Sequence, residues 1–120
     1  MTSEREYLFY LQDMEDSMLH IFEFTQGLDF QSFKKNRLVV DAVIRNFEII
    51  GEASKNVPDN IKSKFPNIPW KNMYKLRNII SHDYFGIDYE VVWKIITGYL
   101  PDNYTELCLV IEIEKQNLQN

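Results

Sequence analysis

Only one cysteine, Cys108, occurs in the 120 residues, so no internal disulfide is possible and a secreted disulfide scaffold is excluded. A reducing, cytoplasmic setting is expected. There are two histidines, four glycines and four prolines. His20 and His82 stand far apart in sequence and the one cysteine lies in a helical apolar row, so no zinc spacing of histidine and cysteine exists and no metal site is expected. Glycine-rich phosphate loops, a G-x-S-x-G elbow and a paired-carboxylate signature are all missing. No apolar run approaches the roughly 18 residues of a membrane span, and the opening "MTSEREYLFY" has no apolar core of a leader. A soluble chain without membrane contact follows.

What is present is a normal apolar content of 45% and an acidic balance, net -5. That balance disfavours a surface coated with nucleic acid. Its distribution is uneven, however, because residues 60 to 82 carry Lys62, Lys64, Lys71, Lys75 and Arg77 without one carboxylate. One basic face on an acidic protein is therefore expected, with Lys71 and Lys75 as its candidate anion contacts.

Helical periodicity runs through nearly the whole chain, and no repeat or linker divides it, so residues 1–120 read as a single domain. Ser3 and Glu6 have the form of a capping box before Tyr7, Leu11, Met14, Met18, Ile21 and Phe22, and Gly27 ends that first helix. A loop or short helical turn tucks Phe30 and Phe33 underneath. Asn36 caps a second helix to about Asn56, stopped by Pro58, with Val40, Val43, Ile44, Phe47 and Ile50 inward. On its other side Asp41, Arg45, Glu48 and Glu52 form an ionic row. A short helix is expected around Asn60 to Lys64, and a third main helix from Trp70 towards His82. Asp88 caps a fourth, and Pro101 takes the first position of a fifth, in which Cys108 is expected in the core. The expected fold is all-α, an up-and-down bundle of four to five helices with no strand. Seven Tyr, eight Phe and two Trp are many for so small a core, which favours a homodimer with aromatics at its interface.

The chemistry concentrates in "LRNIISHDY", where Arg77, His82 and Tyr84 stand close together. Cleavage of RNA by its own 2'-hydroxyl needs proton transfer near pH 7 and a cation on the phosphate, which histidine and arginine supply without a metal or cofactor. Five residues on a regular helix separate side chains by roughly 140°. Either the arginine folds across, the helix loosens near Ser81, or two protomers share one site. The plainer alternative is a surface arginine and a histidine capping a helix end, with the ionic row as a solvated face. The functional reading of that row is a polar wall for a cleft, holding Arg77 or an exposed dimer partner in place.

"RNIISHDY" resembles the R-x-x-x-x-H-x-Y signature of the HEPN superfamily in its HepT-like branch. "RNFEIIGEASKNVP", "IPWKNMYKLRN" and "FGIDYEVVWKII" are similar to that branch's other segments, in the same order. The resemblance covers nearly the whole chain. It implies a dimeric helical toxin of a toxin-antitoxin pair that cuts RNA. Arg77 would steady the phosphate, His82 would act as acid or base, and Asn78 would orient its neighbours. Arg45, Glu48 and Glu52 would support the site. The implied partner is a minimal nucleotidyltransferase antitoxin, which uses ATP to place AMP on Tyr84. The family also includes inactive members, so a non-catalytic nucleotide-binding or scaffold partner of the nucleotidyltransferase is the alternative.

Overall fold

The computed structural model of the chain describes residues 6–81 and 86–119. Its architecture is all-α, as expected, except that one short antiparallel strand pair occurs where no strand was expected. Three helices of twenty residues each dominate: α1 (Glu6–Thr25), α3 (Arg37–Asn56) and α7 (Leu100–Gln119). Four six-residue helices connect them, α2 (Phe30–Lys35), α4 (Asp59–Lys64), α5 (Trp70–Lys75) and α6 (Tyr89–Lys94). None of the described helices is long and apolar enough to cross a membrane.

Helix α1 packs against both α3 and α7 because each buries an apolar stripe. Leu11, Met14, Met18 and Ile21 of α1 meet Val43, Phe47 and Ile50 of α3, all at most 1% exposed. The chain leaves α1 through Gly27, whose φ of 80° needs no Cβ to be accommodated. Asp29 caps α2, accepting from the Ser32 amide at 2.8 Å, and Asn36 caps α3 through the Val39 amide at 3.2 Å. Phe33 is fully buried, with its ring 5.0 Å from that of Trp93. The expected tuck beneath the loop is thus a capped helix. Ser3 of the expected capping box lies outside the described residues.

Two expectations about helix ends differ from the structure. The third main helix does not run on towards His82. After Lys75 it tightens into a 3-10 turn, Leu76–Asn78, and then a two-residue strand β1 (Ile80–Ser81) pairs antiparallel with β2 (Gly86–Ile87). The β-branched pair Ile79 and Ile80 lowers helix propensity just where the turn gives way.

The second difference is at Pro101, which does not begin a separate helix. Helices α6 and α7 form one continuous rod through a π-turn, Ile95–Tyr99. Proline inside a regular helix loses one hydrogen bond and collides with the carbonyl four residues earlier. The widened turn, in which the Leu100 amide donates to the Ile95 carbonyl, relieves that collision. Asp88 does cap α6, accepting from the Val91 amide at 3.1 Å.

Cys108 is half-buried rather than in the core. Burial pushes its thiol upward in pKa and the neighbouring Glu15 carboxylate adds to the rise, so it is a poor nucleophile.

Glu114 of α7 is 2% exposed and accepts three hydrogen bonds. Tyr7 Oη donates at 2.7 Å, Lys64 Nζ at 2.7 Å and Asn117 Nδ2 at 3.0 Å. This carboxylate therefore ties α1, α4 and α7 together. Burial pushes its pKa upward, yet the hydrogen bonds from Lys64 and Tyr7 and the Lys64 charge outweigh that, and the group lies below the usual glutamate range. Its contribution is complete above the unfolded-state value of about 4.3 and is lost as pH falls through the lower folded value. Glu114→Ala is expected to cost about 1–3 kcal/mol at pH 7, because the hydrogen bonds that join α1, α4 and α7 at this buried carboxylate are lost together. Urea denaturation at pH 7 and at pH 4 checks this: the gap between wild type and variant should narrow at the lower pH.

Candidate active site

Helix α3 and the segment from α5 through the 3-10 turn build the site. They approach very closely at Gly51, where an added Cβ would stand 2.8 Å from both the Arg77 Cβ and the Arg77 amide nitrogen, and 2.9 Å from the Tyr74 carbonyl. Only glycine fits at that crossing. Its absence of a side chain brings the Arg77 backbone onto α3, one residue from Glu52.

The guanidinium of Arg77 is consequently held on both sides. Its Nη1 lies 3.2 Å from Glu52 Oε2 and donates to Tyr74 Oη at 3.4 Å, while its central carbon stands 5.4 Å from the centre of the Tyr74 ring. The Arg77 side chain is about one-third exposed, enough to meet a ligand.

A cleft of about 490 Å³ opens beside it, lined by Arg45, Glu48, Glu52, Arg77 and Asn78, with Tyr10 and Asp13 contributed by α1. Five sequence-predicted site residues thus share one cavity. Arg45 pairs with Glu48 at 3.7 Å, an exposed contact of small energetic weight. Asn78 is exposed on the rim. Glu52 pairs with Arg77 across the α3 crossing.

The basic candidates are not brought together. Lys71 lines a separate cavity with Lys55 and Lys62, whereas Lys75 borders an apolar one with Met73, Leu76 and Ile95. His82 and Tyr84 lie outside the described residues. Among the described residues no group of three or more His, Cys, Asp and Glu side chains is arranged to hold a metal ion.

Sequence reasoning missed Tyr74 and Gly51. Tyr74 stands three residues before Arg77, the spacing at which helical side chains meet, and that was a usable signal. Gly51 was visible only as a glycine in a helix interior, which costs about 1 kcal/mol relative to alanine and asks for a packing reason.

The family model described as Ribonuclease HepT-like matches residues 14–108. Among curated relatives, two proteins of Methanocaldococcus jannaschii, each named "Putative RNase", are similar to this chain. One is 44% identical, covering 90% of this chain and 99% of its own length; the other is 40% identical, covering 86% and 85%. A protein of Thermococcus cleftensis, named "Probable ribonuclease HepT", is 41% identical over 82% of this chain and 89% of its own. No solved structure gives a significant match. The matched span contains α3, the 3-10 turn and the whole Arg77 to Tyr84 motif, and on this ground the chain belongs to the HepT-like ribonuclease family.

Proposed function

We propose that this protein is a metal-independent endoribonuclease and the toxin of a cytosolic toxin-antitoxin pair. The observation that carries the reading is the Arg77 guanidinium, held by Glu52 and Tyr74 at the edge of an open cleft and partly accessible. An arginine fixed on both sides loses little entropy when a phosphate arrives. It then stabilises the charge that grows on the phosphate as the 2'-oxygen attacks. His82 takes the proton from that hydroxyl or gives one to the departing 5'-oxygen. The relatives' names as ribonucleases support this reading.

The active form is a homodimer, in which two motifs face one RNA-binding cleft. Large apolar side chains support it, with Leu38 83% and Phe9 68% exposed. Light scattering at micromolar concentration should give twice the chain mass; a monomer would count against a composite site.

Control is exercised at Tyr84 by a minimal nucleotidyltransferase. The tyrosine oxygen attacks the α-phosphorus of ATP, pyrophosphate leaves, the phenolic proton goes to solvent or base, and AMP remains attached. The added negative phosphodiester and base, two residues from His82, repel RNA and fill the cleft. Tyr84→Phe is expected to keep cleavage and to escape this silencing. Intact-mass measurement after incubation with the partner and ATP decides it: an AMP adduct on the Phe variant would place the modification elsewhere.

A growth test addresses the toxin reading. Expression of this chain alone should arrest growth, and His82→Ala, folded and dimeric, should not. Equal arrest by both would favour the non-catalytic scaffold.

A further inference from the structure

On the far side of Tyr74 lies a cavity of about 680 Å³ whose chemistry differs from that of the Arg77 cleft. Lysines enter it from three elements: Lys55 from the end of α3, Lys62 from α4 and Lys71 from α5. Among the described residues none of the three has a carboxylate within 4.0 Å, although Asp59 stands on the same wall. The cations are therefore uncommitted. Trp70 forms the half-buried floor, and its indole is fixed because Nε1 donates to the Phe65 carbonyl at 3.0 Å. Tyr74, 41% exposed, forms the remaining aromatic wall.

Charge sets the direction from which a polyanion reaches Arg77. The Arg77 cleft opposes Asp13, Glu48 and Glu52 to Arg45 and Arg77, one negative charge in excess. The Trp70 cavity opposes three lysines to Asp59, two positive charges in excess. Tyr74 borders both, since its hydroxyl accepts from Arg77 and the residue also lines the lysine cavity. Formal charge therefore favours a polyanion in the Trp70 cavity over the carboxylate-rich side of the Arg77 cleft.

We propose that the Trp70 cavity is a nucleotide subsite for single-stranded RNA. A nucleotide flanking the phosphate at Arg77 stacks its base on the Trp70 indole, and its phosphates meet Lys55, Lys62 and Lys71. Unpaired cations around an aromatic platform are what strand binding without sequence readout requires. The identity of the ligand rests on the ribonuclease reading; the charge and shape of the cavity do not.

The test uses the full chain, made without its partner and confirmed unmodified by mass. It is titrated with an uncleavable 2'-O-methyl oligonucleotide of about eight residues, within the usual footprint of single-strand binders. Anisotropy gives affinity at several salt concentrations and tryptophan emission reports stacking. Binding should quench emission, and Trp70→Phe should remove most of the quench. Lys62→Ala with Lys71→Ala, folded by circular dichroism, should weaken binding at least tenfold. The double variant should also lower the salt slope by about 1.4, the value for two phosphates on a single strand. Unchanged affinity and slope in that variant, or no binding by the wild type, would overturn the subsite. The matching unmodified RNA separates the two readings. Quenched binding without cleavage would sink the ribonuclease and keep the subsite, whereas cleavage with lysine-independent affinity would do the reverse.

Discussion

Arg77→Ala is expected to lower the single-turnover rate of RNA cleavage by about 10²–10³-fold, the usual cost of removing one preorganised donor to a developing oxyanion. His82→Ala should cost about 10²–10⁴-fold, the range of general acid or base catalysis. Neither loss should come from unfolding. The Arg77–Glu52 pair is partly exposed on both sides and such pairs contribute about 0–1 kcal/mol, so the melting temperature of Arg77→Ala should fall only slightly. Arg77→Lys is the informative intermediate. It keeps the charge but cannot present two parallel donors, and the Tyr74 ring no longer has a flat cation beside it. Cleavage within tenfold of wild type in Arg77→Ala would remove that arginine from the chemistry.

Gly51→Ala should be the most damaging of the glycine-to-alanine exchanges. In an isolated helix this exchange gains about 1 kcal/mol, because glycine costs that much in a helix interior. Here the new Cβ would stand 2.8 Å from the Arg77 amide nitrogen and Cβ and 2.9 Å from the Tyr74 carbonyl. Two of those three atoms are backbone, so the 3-10 turn must move as a unit. Overpacking of this kind costs about 1–3 kcal/mol, which reverses the sign of the propensity gain. The displacement also carries Arg77 away from Glu52, and a misplacement near 1 Å is enough to reduce catalysis about 10²-fold. Urea denaturation and cleavage by the folded fraction give the two readouts separately. A stabilised Gly51→Ala with full cleavage would show that the crossing tolerates a side chain and that Arg77 is not positioned by it.

Much of this was legible in the sequence because it is local. The stripes of α1 and α3, the caps at Asn36 and Asp88 and the ionic row from Asp41 to Glu52 all follow from three- and four-residue spacing. Three members of that row, Arg45, Glu48 and Glu52, line the Arg77 cleft, whereas Asp41 does not. What periodicity does not carry is contact between distant segments. The approach of Gly51 to Arg77, and the convergence of Lys55, Lys62 and Lys71 on Trp70, depend on how α4 and α5 are laid against α3. Pro101 misled for a different reason. A proline normally marks a helix start, and nothing in its neighbours shows that a π-turn will absorb it. Glu114 carries no local signal either, because its partners Tyr7 and Lys64 come from α1 and α4.

The measurement that bears most directly on the ribonuclease assignment is cleavage of total and transfer RNA in EDTA by unmodified protein made without its partner. Arg77→Ala and His82→Ala are run beside it. Cleavage by the wild type that persists in EDTA and disappears in both variants is the predicted result. Absence of cleavage by folded, dimeric, unmodified protein would contradict the assignment and leave a nucleotide-binding partner subunit as the better account.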